Sequence, residues 1–366
     1  MHSSTRHHLT VEESDSGQRL DRYLAAQLPE LSRTRIQELI EAGMVLVDGR
    51  PSKGAHRLRA GERIVVEAQA RPPLRAEAEA IPLEILYEDD DVMAVNKAAG
   101  MTVHAGAGNS RGTLVNALLG LGRTLSRGGD ALRPGIVHRL DKETSGVILV
   151  AKNDFAHAKI SEAFRQRSVK KTYIALVEGL LKEKQGRIAL AIGRDLHRRT
   201  RMAVHRGKPG SALRAHTVGS EAVRGGGLAG LAREARTDWR TLAEVDGTTL
   251  VEVQPHTGRT HQIRVHFSAI AHPVVGDTLY GAASEIRLSA RTERGGSSNE
   301  RERVTMPALG RNFLHAARLG FSQPRTGAWV EVRAPLPEAL HEFARKLAVA
   351  AGDAPKRIDA VLAPYL

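Results

Sequence analysis

One carboxylate stands apart in the segment His138-Arg139-Leu140-Asp141-Lys142-Glu143-Thr144-Ser145-Gly146. It is flanked by two apolar runs, Gly135-Ile136-Val137 and Gly146-Val147-Ile148-Leu149-Val150-Ala151. Short apolar runs bounded by glycine and proline predict buried strands. Asp141 is then expected on a tight polar connection between strands, aimed at a cleft with little freedom to move. Loops on rigid scaffolds are where catalytic groups tend to sit.

Four other segments carry residues that could complete such a site. Glu88-Asp89-Asp90-Asp91-Val92-Met93-Ala94-Val95-Asn96-Lys97 runs into Gly100-Met101-Thr102-Val103-His104. Lys170-Lys171-Thr172-Tyr173-Ile174-Ala175-Leu176-Val177 puts one tyrosine on a predicted strand. Thr257-Gly258-Arg259-Thr260-His261-Gln262-Ile263-Arg264-Val265-His266 predicts a helix starting after Thr260, with Ile263, Phe267 and Ile270 as its buried stripe. His272-Pro273-Val274-Val275-Gly276-Asp277 leads to Tyr280-Gly281. His256, His261 and His266 have neither HExxH spacing nor cysteine partners, so no metal site is expected.

The elements that hold these residues must come from a chain of 366 residues, long enough for two domains. With 41% apolar and 26% charged residues it has the composition of a soluble globular protein. No apolar run reaches the ~18–20 residues that span a bilayer. The first eight residues have no apolar signal-peptide core, and cysteine is absent, so a reducing cytoplasm is expected. That absence also excludes disulfides, thiolate zinc sites and a thiol nucleophile. The 54 Lys and Arg against 41 Asp and Glu leave a net charge of +13, which points to a polyanionic partner. Residues 1–70 are balanced, 10 basic against 10 acidic, whereas residues 151–215 carry 16 basic and 5 acidic side chains. Arg194, Arg198, Arg199, Arg201 and Lys208 lie in this basic stretch and are candidate RNA contacts.

Residues 10–70 predict a small module, a helix pair followed by a small sheet. Leu20, Tyr23, Leu24 and Leu28 fall at helical spacing up to Pro29. Ser32 can cap a second helix with the stripe Ile36, Leu39 and Ile40, which Gly43 is placed to end. Val45-Leu46-Val47, the turn pair Asp48-Gly49 and Ile64-Val65-Val66 supply the strands. Arg33 and Arg35 at the start of the second helix, with Lys53 and Arg57 in the connection, are expected to meet phosphates. Residues 71–80 predict a linker. Residues 81–350 alternate strand and helix patterns, interrupted by polar stretches at 219–236 and 284–303 that predict mobile surface insertions.

The first module resembles the alpha-L RNA-binding module of a small-subunit ribosomal protein and of tyrosyl-tRNA synthetases. The segments quoted above, in their order from about 82 to 345, resemble an RNA pseudouridine synthase of the RluA/RluD type. The resemblance implies an α+β fold. A small N-terminal α/β RNA-binding module would precede a catalytic domain on a largely antiparallel mixed sheet, with flanking helices and a central cleft. It implies that Asp141, in HRLD-x-x-TSG, is the nucleophile. Tyr173, in Lys171-Thr172-Tyr173, would stack on the target base and take part in proton transfer, and Arg264 would pair with the aspartate. Arg139 would help extrude the nucleotide, and His138 beside it would contact RNA. The sequence departs from the family at Ala98 and Ala105, where proline is usual, and at His256, where an acidic residue is common.

Pseudouridine formation cuts the N1–ribose bond and rejoins the ring through C5. It involves no redox change and no phosphoryl transfer, so no cofactor is expected. The carboxylate could add to the sugar or to the ring. A facing guanidinium would favour the ionised form of Asp141. The expected substrate is large-subunit (23S) ribosomal RNA, and no obligate protein partner is implied, so a monomer is expected. A non-catalytic RNA-binding or ribosome-assembly factor that keeps the fold is the alternative, although a pure binder has no use for the Asp–Tyr–Arg trio.

Overall fold

The computed structural model describes residues 4–28, 33–69, 77–104, 111–126, 133–195, 198, 200–205, 232–289 and 303–366. The chain divides into two compact units, Met1–Arg75 and Ala76–Leu366.

The first unit contains β1 (Ser4–Thr10), α1 (Leu20–Gln27), α2 (Arg33–Glu41), β2 (Val45–Val47), β3 (Arg50–Pro51) and β4 (Arg63–Gln69). Its strands form an antiparallel sheet in the order β1-β4-β2-β3. Leu20, Tyr23 and Leu24 of α1 and Ile36, Leu39 and Ile40 of α2 pack on Val45, Val47, Ile64 and Val66. The α2 helix ends where Gly43 turns left-handed (φ 71) and the Met44 N–H reaches back to Leu39 O. Asp48 and Gly49 both have positive φ (48 and 75), the two-residue turn that matches strand twist. The strand β1 starts this unit upstream of residue 10. Its polar sequence, Ser-Thr-Arg-His-His-Leu-Thr, lacks the apolar alternation by which a strand is recognised. Ser32 lies outside the described residues, as do the side chains of Arg33 and Arg35. Lys53 and Arg57 are exposed on the connection from β3 to β4, and Arg57 Nη1 donates to Gly17 O at 2.8 Å.

The second unit opens with β5 (Glu84–Glu88), β6 (Val92–Lys97), α3 (Leu114–Gly120), β7 (Ser145–Ala151), α4 (Asp154–Arg165) and β8 (Lys170–Glu178). It continues through β9 (Gln185–Ile188), β10 (Ala191–Arg194), β11 (Met202–His205), β12 (Thr237–Val245), β13 (Thr248–Pro255) and α5 (Gln262–Ala269). The last elements are β14 (Glu285–Ser289), β15 (Arg303–Pro307), β16 (Leu314–Ser322), β17 (Trp329–Arg333), α6 (Glu338–Ala350) and α7 (Pro355–Leu362). Among the described residues, one sheet runs β5-β6-β7-β16-β8-β13-β12-β9, with β17 also on β16. Only the β7–β16 pair is parallel, so the fold is α+β on a largely antiparallel mixed sheet.

The sheet centre is what positions the site. The β7 strand is buried along its whole length and follows the Asp141 loop directly. Its second residue must be glycine: Gly146 has φ 116, and a Cβ there would lie 2.2 Å from Ala316 O of β16. Tyr173 on β8 pairs with Ala316 on one side and Val253 on the other. The strand β13 feeds α5, so Asp141, Tyr173 and Arg264 come from neighbouring parts of one sheet and its adjoining helix.

Several expectations change. Residues 135–137 are not a strand, since only an isolated bridge joins Ile136 to Val150. Gly135 takes φ 72 and spends its peptide groups on Ser126 O and Ala151 N–H. Asp141 therefore sits between an irregular segment and a strand. The α5 helix starts after His261, and residues 262–267 are all buried, while Ile270 is partly exposed. It is wedged on all sides rather than carrying one apolar stripe. The unit runs past residue 350, because Ile358, Leu362 and Tyr365 pack into the core under α6. The ends of the second predicted insertion are the paired strands β14 and β15. Residues 290–302 and most of the first insertion lie outside the described residues. No helix among the described residues is long and apolar enough to cross a membrane.

Candidate active site

The Asp141 loop is clamped by groups it does not itself contain. Beneath it, the Lys97 ammonium is fully buried and donates to the carbonyls of Ala98 (2.7 Å), Met101 (2.9 Å) and Lys142 (3.1 Å). This holds the turn in which alanine replaces the expected proline. Burial, with Arg311 nearby, pushes the Lys97 amine down to about 7, against the pull of Asp141 and Glu143. At the C-terminal end of the loop, Ser145 Oγ accepts from Arg311 Nη2 (3.0 Å) and donates to His315 Nδ1 (3.0 Å). The His315 Nε2–H then reaches Ala334 O (3.1 Å). At the N-terminal end, His138 Nε2 accepts the Leu149 N–H (2.8 Å), and its ring stacks on Phe164 at 4.6 Å. His138 is thereby a strut of the loop. Its Nε2 is taken up by the backbone, and burial keeps its ring in the neutral form.

Arg264 projects from α5 and is held on two sides. Its Nε and Nη2 make a bidentate pair with Asp277 (2.5 and 2.9 Å), and Nη1 donates to Asp141 Oδ2 at 3.2 Å. Burial opposes the charge, but the pairs with Asp277 and then Asp141 outweigh it and raise the guanidinium pKa. The face of Arg264 lies over the Tyr280 ring at 4.9 Å. Tyr280 Oη accepts the Met202 N–H (3.0 Å) and donates to His261 Nδ1 (2.8 Å). In that arrangement the His261 ring proton is on Nε2, which faces Asp141 Oδ1 at 3.9 Å. His261 adopts φ 55 at the head of α5, a strained conformation that aims its ring at the carboxylate.

Asp141, Arg139, His138, Tyr173 and Arg264 line one cleft of about 360 Å³. This is within the ~300–1,000 Å³ range of ligand sites and has room for one nucleotide, not a duplex. Burial first, and the Asp141 charge second, push the Tyr173 phenol well above its ordinary value, so it stays protonated. Arg139 is exposed at the mouth of the cleft. Among the described residues of this unit, Arg194, Arg198 and Arg201 are not part of its lining. Arg194 and Arg198 are exposed at the β10–β11 hairpin. The Arg201 guanidinium folds over the Tyr280 ring at 5.2 Å. Arg199 and Lys208 lie outside the described residues. The histidines weighed as ligands have other duties. His256 bonds Asp238 (2.9 Å), and His266 bridges Thr237 (2.8 Å) and Leu190 O (3.0 Å). Asp277, Tyr280 and His261 escaped the sequence reading as site residues; the only sign was that Asp277 and Tyr280 close the segment after Gly276.

The buried rings predict a pH dependence. Burial, with Lys171 nearby, pushes His138 down to about 3, and burial with Arg311 pushes His315 to about 4. The unfolded chain, with histidine near 6.5, takes up these protons first as the pH falls. Their contribution is complete above about pH 6.5 and declines from there toward pH 4. The urea midpoint is expected to drop between pH 6.5 and 4.5, with both ring C–H resonances still at neutral-form positions at pH 5. Charged rings at pH 5 would contradict this.

Comparison with known proteins agrees with this geometry. Residues 91–269 match the RNA pseudouridylate synthase family model, and residues 18–64 match the S4 domain. An uncharacterised RNA pseudouridine synthase of Bacillus subtilis (strain 168) is 37% identical over 93% of this chain and 97% of its own length. One from Chloroflexus aurantiacus (strain ATCC 29366 / DSM 635 / J-10-fl) is 41% identical over 93% of both. The ribosomal large subunit pseudouridine synthase D of Nitrosomonas europaea (strain ATCC 19718 / CIP 103999 / KCTC 2705 / NBRC 14298) is 40% identical, covering 91% of this chain and 85% of that protein. The chain therefore belongs to the RNA pseudouridine synthases, with an S4 RNA-binding domain ahead of the catalytic domain.

Proposed function

We propose that the enzyme isomerises specific uridines of 23S ribosomal RNA, with Asp141 as nucleophile and no cofactor, acting as a monomer in the cytoplasm. The observation that carries the reading is the Asp141 carboxylate in a nucleotide-sized cleft, held by Arg264, which Asp277 holds in turn. The reaction breaks the N1–C1′ bond and forms a C5–C1′ bond. The C5 proton leaves and N1 gains one, so atoms and electrons balance without a co-reactant. Arg264 fixes the carboxylate through a charge-assisted hydrogen bond and opposes its rotation away from the substrate. The target must leave its stack to reach Asp141, and the Tyr173 ring offers the π-face on which the extruded base can rest. The name of the Nitrosomonas relative and the S4 domain support ribosomal RNA as substrate.

Pseudouridine mapping of 23S rRNA from a strain lacking the gene tests this. One or more sites are expected to disappear and to return with the wild-type gene, and a map unchanged by the deletion would contradict the assignment. Tyr173 separates binding from chemistry. Tyr173→Ala removes the stacking platform, worth ~1–3 kcal/mol per base, and is expected to raise KM roughly 5- to 150-fold. Tyr173→Phe keeps the ring and is expected to lose kcat while KM stays near wild type. Equal KM values for the two variants would remove the stacking role.

A further inference from the structure

One wall of the cleft carries three cations that the reaction scheme does not use. Arg167 lies in the turn from α4 to β8, Lys171 is the second residue of β8, and Arg259 is in the loop from β13 to α5. They come from separate elements, and among the described residues none of them forms an ion pair with a carboxylate. Among the described residues, Lys171 Nζ donates only to Thr257 O (3.2 Å), and Arg259 Nε only to Glu234 O (3.1 Å). The neighbouring Arg165 differs in that it is paired with Glu162.

Arg167 sits where its backbone is strained. The α4 helix ends as α2 does, with the Ser168 N–H on Ala163 O (3.0 Å) and the Arg167 N–H on Phe164 O (3.2 Å). The residue at that position must be left-handed, which is why glycine dominates it and why α2 uses Gly43. Arg167 takes φ 61 there, a conformation disfavoured for any residue with a Cβ. Helix-dipole complementation does not require that position, since Arg165 already supplies a cation to the last turn. What distinguishes an arginine there is the reach of its side chain, which lines the cleft. Arg167 and Arg259 also repel each other. Burial holds Arg259 below its ordinary value, and Arg233 and Arg167 lower it further, with Glu234 opposing. Burial holds Lys171 at about 8. An anion placed among them relieves this repulsion.

We propose that Arg167, Lys171 and Arg259 form a seat for an RNA phosphodiester beside the extruded uridine. It shares the cleft with Asp141, so it would fix the strand at the reacting nucleotide and grip the backbone rather than any base. The proposal rests on the RNA-uridine reading above, and its test is separable from that reading.

The full-length wild type, Arg167→Gly and Arg167→Lys bind an unmodified 23S rRNA transcript over a salt series, and each protein is melted alone. Arg167→Gly removes the cation and relieves the backbone. Its melting temperature should rise, its affinity at physiological salt should fall several-fold, and its salt slope should become shallower by roughly 0.7–0.9. Arg167→Lys should keep the wild-type slope. A wild-type slope for Arg167→Gly overturns the proposal. So does lower stability accompanying weaker binding, because the side chain would then be structural. Whether wild type also forms pseudouridine in the same transcript bears on the substrate reading alone, leaving the slopes comparable.

Discussion

Asp141→Asn protein is expected to release no tritium from RNA labelled at uracil C5, a loss of roughly 10⁴-fold or more, as removal of an enzymatic nucleophile typically gives. The substitution is nearly isosteric, and the amide oxygen can still accept from Arg264 Nη1. Arg264 also keeps its bidentate partner Asp277, so no buried guanidinium is left uncompensated. Stability should therefore change little while turnover disappears. That combination separates a chemical role from a structural one, and tritium release at the wild-type rate would exclude Asp141 as nucleophile.

Asp277→Ala should damage both stability and turnover. Asp277 is 3% exposed and accepts two of the three hydrogen bonds that Arg264 donates to carboxylates. Its loss leaves a buried guanidinium with a single partner at 3.2 Å. Breaking a buried pair from one side costs about 3–5 kcal/mol. Freed from Asp277, Arg264 can also swing, and misplacement by about 1 Å costs on the order of 10²-fold in rate. Urea unfolding and single-turnover kinetics check the two effects. In a double-mutant cycle, Arg264→Ala and Asp277→Ala should be strongly non-additive, since each removes the other's reason to be buried. Additive losses would show that the pair does not act as a unit.

The sequence was most informative where function and local pattern coincide. After Ser145 the β7 run Gly146–Ala151 has no polar side chain because both faces are covered, and Tyr173 lies in an apolar run with a basic start, so both segments could be recognised as strands. The helix carrying Arg264 was legible from the spacing of Ile263 and Phe267, although it begins one residue later than expected. What was not legible depends on partners far along the chain. Asp277 gains its meaning from Arg264, 13 residues earlier and across a turn. Lys97 closes an apolar run, and nothing in that run shows that three carbonyls converge on its amine from the folded loops. The role of His138 as a strut was not legible either, because a motif shows a residue's type, not which of its nitrogens the backbone already uses. Gly135-Ile136-Val137 looked like a strand because composition does not reveal the positive φ of Gly135. The β1 strand was missed because a polar edge strand has only one neighbour to pack on.

The central claim is that one carboxylate, fixed by Arg264, meets a uridine lifted out of its stack. A crystal structure of the Asp141→Asn protein with a substrate RNA tests it most directly. The expected result is an extruded uridine with its ring against Tyr173 and the residue-141 side chain within ~3.5 Å of the ribose C1′ or the pyrimidine ring. A uridine still stacked in its helix, or one bound with residue 141 beyond reach of both, would contradict the account.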